Sequence, residues 1–153
     1  AGLMINNGEP SLIEYNVRFG DPECQALMVR LGAQILDVLL DCAQRKLNRS
    51  RINWANDASI SVVMATNGYP GPYKKGSVIK NVHSAEQITG VEVFHAGTKI
   101  HNNELLANGG RVLNVTCKES NLELAQKKVY QATALIDWEE GFYRRDIGWQ
   151  GLK

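Results

Sequence analysis

The chain has 153 residues, 17 of them Lys or Arg against 16 Asp or Glu, for a formal net charge of +1. A balance this even leaves no broad basic field for nucleic acid or an anionic membrane surface, and neither is expected as a partner. The length supports a buried core but is short for an enzyme that must hold several substrates, so a piece of a longer protein is expected. The longest strongly apolar region, 27–40, is interrupted by Arg30, Gln34 and Asp37, which excludes a membrane-spanning helix there. Cys24, Cys42 and Cys117 form no Cys-x-x-Cys pair, so buried reduced thiols and a cytoplasmic setting are expected.

In chain order, Asn6-Asn7-Gly8-Glu9-Pro10 supplies turn chemistry between two apolar runs and predicts a hairpin. The spacing then predicts a strand over 12–18. A period of two would put Glu14, Asn16 and Arg18 on one face, about 6.6 Å apart in succession, with Tyr15, Val17 and Phe19 on the other. A row of carboxylate, amide and guanidinium suits a hard divalent cation bound through phosphates, with the guanidinium forking onto phosphate or carboxylate. The same alternation also describes an ordinary solvated sheet face, so spacing alone does not separate the two. Asp21 can cap a helix whose first turn holds Pro22, and Leu27, Leu31, Ile35 and Leu39 continue it at helical spacing. One long helix, or two broken near Gly32, is expected to run to about Leu47.

Residues 48–57 form a polar connector, and the domain boundary is placed there. Arg45, Lys46, Arg49 and Arg51 read as cations opposing a helix C-terminal dipole. Strands are expected at 58–65, 77–80, 90–95, 104–107 and 111–117, with Asn108-Gly109-Gly110 as a hairpin turn between the last two. Ser120-Asn121-Leu122-Glu123 makes a capping box for a helix to about Asp137, packed through Leu124, Val129, Ala132, Leu135 and Ile136. The whole reads as α+β.

Several segments carry more than periodicity. Arg18-Phe19-Gly20-Asp21-Pro22-Glu23-x-Gln25, preceded by Gly2-Leu3-Met4-Ile5, resembles the signature of the glycinamide ribonucleotide synthetase family, also called phosphoribosylamine–glycine ligase, of the ATP-grasp superfamily. Gly68-Tyr69-Pro70-Gly71, Phe94-His95-Ala96-Gly97-Thr98, Gly109-Gly110-Arg111-Val112-Leu113 and Arg144-Arg145-Asp146-Ile147-Gly148 follow in the order of that family's C-terminal part. The resemblance covers nearly the whole chain. It implies that residues 1–56 are the last hairpin and helix of an ATP-grasp lobe and 57–153 the small mixed α/β C-terminal domain.

It further implies an ATP-dependent ligation in purine biosynthesis. ATP phosphorylates glycine, and the amine of 5-phosphoribosylamine attacks the glycyl phosphate, giving glycinamide ribonucleotide, ADP and phosphate. Glu14 and Asn16 would hold Mg²⁺ or Mn²⁺, and Arg18 would steady the transferring phosphoryl group. Asp21 keeps two roles open, helix cap and substrate contact, with the cap as the default. The implied partner is the missing N-terminal part of the same enzyme, without which this chain is expected to be inactive. Two other readings stand beside this one: another ATP-grasp carboxylate–amine ligase, and a folded module silent in isolation.

The loop Asn67–Gly76 ends in Lys74-Lys75 but lacks P-loop spacing, so a rigid turn with exposed lysines is its default. The resemblance turns this loop toward the substrate cleft and makes Lys75 a candidate substrate-binding residue. His83, His95 and His101 show no zinc-site spacing, and His95 is expected to be structural. The sequons at Asn48 and Asn114 carry no weight in a cytoplasmic protein.

Overall fold

A computed structural model describes residues 1–47 and 52–152. The sequon at Asn48 and the basic residues Arg49 and Arg51 fall outside the described residues.

The predicted hairpin forms from β1 (Gly2–Asn6) and β2 (Glu9–Glu14), antiparallel, around Asn7 and Gly8 at φ 50° and 84°. Asn and Gly tolerate this left-handed backbone, which matches the strand twist. The strand expected over 12–18 stops at Glu14. Its ladder ends with the Gly2–Glu14 pair, so residues 15–19 have no neighbouring strand to hold them extended. Tyr15, Val17 and Phe19 accordingly form no buried apolar face, and Val17 is fully exposed.

Two helices follow, α1 (Glu23–Leu31) and α2 (Gln34–Ala43), broken at Gly32, whose φ of 56° suits glycine. The second ends at Ala43, short of the expected Leu47. Asp21 does not cap α1. The Gly20 N–H donates to Glu23 Oε1 at 2.8 Å and the Cys24 N–H to the Gly20 carbonyl at 2.9 Å, so the turn closes on glycine and leaves the Asp21 carboxylate to point elsewhere.

The remaining residues build a four-stranded antiparallel sheet, order β5-β8-β3-β9, from β3 (Ala58–Thr66), β5 (Val91–His95), β8 (Arg111–Glu119) and β9 (Gly141–Tyr143). A three-stranded sheet, order β4-β7-β6, adds β4 (Val78–Ile79), β6 (Thr98–His101) and β7 (Glu104–Ala107). Helix α3 (Val82–Glu86) precedes β5, and α4 (Leu122–Leu135) follows β8. Ile60, Val62 and Met64 of β3 oppose Cys117, Val115 and Leu113 of β8, and these pairs pack with Ala125, Val129 and Ala132 of α4 into the core. The other face carries Ser59, whose hydroxyl donates to the Ala26 carbonyl of α1 at 2.8 Å. Helix α1 thus lies across the sheet opposite α4.

Asn108-Gly109-Gly110 is not a hairpin turn. Strands β7 and β8 belong to different sheets, and these residues carry the chain between them. The hairpin is β6–β7, turned by Asn102 and Asn103 at φ 49° and 63°. The cap of α4 is Asn121, whose Oδ1 accepts the Leu124 N–H at 2.9 Å; the Ser120 N–H is occupied with Glu119. The buried stripe of α4 is Ala125, Val129, Ala132 and Thr133, at i, i+4, i+7 and i+8, and Leu124 and Leu135 fall outside it and are exposed. Of the cysteines only Cys117 is buried, and Cys42 lies on the exposed side of α2.

Candidate functional site

Residues 14–23 leave β2, turn through Gly20 and enter α1, and this passage borders two adjoining clefts. One, of about 770 Å³, runs along α1 and is lined by Glu14, Asn16, Arg18, Leu27 and Arg30 among others. The second, of about 520 Å³, shares Glu14, Asn16 and Arg18 and extends to Asp21 and Arg111. The carboxylate, amide and guanidinium therefore stand on the shared wall of both, although they are not three rungs of one strand.

Asn16 Nδ2 donates to Glu14 Oε1 at 3.0 Å, which joins the two side chains without a β ladder. This contact leaves Glu14 Oε2 and Asn16 Oδ1, two hard oxygens, without other hydrogen-bond partners among the described residues. They fit one side of a Mg²⁺ or Mn²⁺ coordination sphere. No cluster of three or more His, Cys, Asp or Glu residues that could hold a metal exists among the described residues. A cation here would complete its sphere with water and phosphate oxygens, as Mg²⁺ commonly does.

Arg18 Nη1 donates to the Phe19 carbonyl at 2.9 Å, folding the guanidinium back along its own turn while the remaining donors face solvent. Asp21 is held by Arg111: Oδ2 lies 3.2 Å from Arg111 Nη2, and Nη1 donates to the Asp21 carbonyl at 3.4 Å. Arg30, in the larger cleft, donates to the Ala55 carbonyl at 2.9 Å, and its guanidinium carbon lies 5.3 Å from the Trp54 ring centroid. Sequence reasoning assigned no role to Arg111 or Arg30. For Arg111 a signal was present, since it closes the Gly-Gly-Arg segment singled out for its resemblance.

Lys75 is not brought to Glu14, Asn16 and Arg18. It borders a separate depression of about 220 Å³ with Lys99, His101 and Asn108. His95 Nδ1 lies 3.1 Å from Thr98 Oγ1, which ties the end of β5 to the start of β6.

A small antiparallel sheet covered by helices is joined through α1 to a hairpin whose exit carries a Glu-x-Asn-x-Arg row. The solved structure of phosphoribosylamine–glycine ligase from Thermotoga maritima superimposes with a TM-score of 0.80 at 30% identity, over 94% of this chain and 35% of that one. The family model for the phosphoribosylglycinamide synthetase C domain matches residues 59–150, and the chain belongs to that family. Curated relatives named phosphoribosylamine–glycine ligase align over the whole chain: one from Brucella melitensis biotype 1 at 48% identity, and a chloroplastic one from Arabidopsis thaliana at 51%. The chain spans about a third of their length, 36% and 30% respectively.

Proposed function

We propose that this chain is the C-terminal part of a phosphoribosylamine–glycine ligase, which joins glycine to 5-phosphoribosylamine at the expense of ATP. Residues 1–56 would close the ATP-grasp domain and 57–153 form the C-terminal domain. The observation that carries the reading is the Glu14–Asn16 pair beside Arg18 on a cleft wall, within a chain whose relatives bear that name. No helix among the described residues is long and apolar enough to cross a membrane. The cytoplasm is the compartment that the unpaired cysteines favour.

In this mechanism Glu14 and Asn16 would hold the divalent cation, Mg²⁺ or Mn²⁺. When bound, the cation neutralises phosphate charge and orients the ATP phosphates for attack. Arg18 supplies a guanidinium toward the phosphoryl group passing from ATP to the glycine carboxylate, and then toward the glycyl phosphate. The Asp21–Arg111 pair borders the same cleft on the side of the C-terminal sheet. Catalysis here is chiefly positioning and charge neutralisation, so the nucleotide-clamping part outside this chain is essential.

Product formation by the intact protein is the test. Glycinamide ribonucleotide should appear only with ATP, glycine and 5-phosphoribosylamine together. Turnover with a different carboxylate and amine would replace this reading with that of another ATP-grasp ligase.

A further inference from the structure

Three glycine-rich segments far apart in sequence meet at one point. A Cβ on Gly97 would fall 2.6 Å from the Arg111 carbonyl oxygen and 2.7 Å from Gly109 Cα, and one on Gly110 would strike the Tyr69 ring at 2.3 Å. Backbones at these positions touch with no room for a side chain. The carbonyls of three successive residues are also pinned. Gly109 accepts from Thr66 Oγ1 at 2.8 Å, Gly110 from the Thr66 N–H at 2.8 Å, and Arg111 from the Gly97 N–H at 3.1 Å. What this assembly delivers at its edge is the Arg111 side chain, standing in the cleft that Glu14, Asn16 and Arg18 also line.

The three arginines of the two clefts differ in their engagements. Arg30 is committed to Trp54 and the Ala55 carbonyl, and Arg18 sits beside Glu14 and Asn16. Arg111 is partly exposed, and its contacts to Asp21 leave Nε and further Nη hydrogens without partners among the described residues. Asp21 engages both Nη atoms, one through its carboxylate and one through its carbonyl, and leaves the Nε side of the guanidinium open, an arrangement suited to forked contact with a phosphate.

We infer that Arg111 binds the 5-phosphate of the phosphoribosyl substrate and that Asp21 positions its guanidinium. The inference rests on the ligase reading. A phosphate monoester is the second phosphorylated group that reaction must hold, and ATP phosphates are already provided for at the Glu14–Asn16–Arg18 end. Arg111 pairs with Asp21 on the wall of the same cleft and begins β8, an inner strand of the larger sheet, so it stands on a rigid element and not on a mobile loop.

The test uses the intact ligase, with 5-phosphoribosylamine kinetics and equilibrium binding of ribose 5-phosphate as a stable probe. Arg111→Gln should raise the KM for 5-phosphoribosylamine and the Kd for ribose 5-phosphate by roughly tenfold or more, as loss of a charge-assisted hydrogen bond does. The KM values for ATP and glycine should stay within about twofold, a change of little free energy. Arg111→Lys keeps the charge without the fork and should weaken ribose 5-phosphate binding less than Gln does, which covers a Gln variant that fails to fold. Asp21→Asn should shift the same constants in the same direction by a smaller factor. Unchanged phosphoribosyl constants in both Arg111 variants, or a larger rise in the KM for ATP, would overturn the assignment and leave the ligase reading standing. A wild-type protein that makes no glycinamide ribonucleotide would overturn both.

Discussion

Glu14 and Asn16 come together by a route that strand periodicity does not describe. The extended segment ends at Glu14, yet the 3.0 Å hydrogen bond from Asn16 sets the two side chains together. The residue types were legible as a polar row, although their alternation suits a solvated sheet face equally well. The local backbone was not legible, because a ladder's length depends on its partner strand as much as on its own residues. Arg18 gives the first prediction. Arg18→Lys in the intact enzyme keeps the charge but loses the planar fork, so kcat should fall strongly while the KM for ATP changes little; steady-state kinetics over all three substrates and the cation separate the two. A fall in affinity alone would make Arg18 a ground-state clamp.

Cys117 is a second residue-scale case. Burial pushes its thiol up from 9.0 to about 11, so in the folded protein it stays neutral where an unfolded chain would ionise. The folded state therefore holds the proton more tightly. Stability from this group is complete below about pH 9 and is lost as pH rises toward about 11. Comparing denaturant midpoints of wild type and Cys117→Ala from pH 8 upward should show the gap narrowing across that window. Thiol labelling of the folded protein should reach the exposed Cys42 well before Cys117.

At the scale of elements, the sequence spoke most clearly where local chemistry decides. Asn7-Gly8 turned its hairpin, Gly32 separated two helices, and β7 formed at its expected residues. It misled where two elements compete for one signal. Asn108-Gly109-Gly110 carries hairpin residues but serves close packing against Gly97 and Tyr69, a requirement set by residues distant in sequence. The Asn102-Asn103 turn was the better hairpin signal, with both residues in the left-handed region. Gly110→Ala should lower stability by about 1–3 kcal/mol through overpacking against the Tyr69 ring. Asn121→Ala should cost about 1 kcal/mol by removing the cap of α4, read as a shift in denaturant midpoint without a change in slope.

For the whole molecule, apolar side chains are distributed unevenly. The core between α4 and the larger sheet is closed, whereas Leu3, Ile5 and Ile13 of the hairpin and Leu36 and Leu40 of α2 are largely exposed. Apolar surface on this scale marks a docking face, and in the proposed enzyme the remainder of the ATP-grasp lobe would cover it. No sequence periodicity could reveal that, since amphipathic patterning does not say which chain covers a face. On the proposed reading, this chain alone carries only the phosphate end of a nucleotide site. Calorimetry of the isolated chain with ATP and Mg²⁺ should show no micromolar binding, and binding at that level would place the nucleotide-clamping elements inside these residues.

The central claim is that the Glu14–Asn16 pair is the cation-holding edge of a ligase active site, and turnover of Glu14→Gln in the intact enzyme tests it most directly. The substitution keeps size and hydrogen bonding while removing the charge. The account predicts a kcat lower by orders of magnitude at saturating Mg²⁺, with the thermal midpoint nearly unchanged. Turnover close to wild type under those conditions would contradict it.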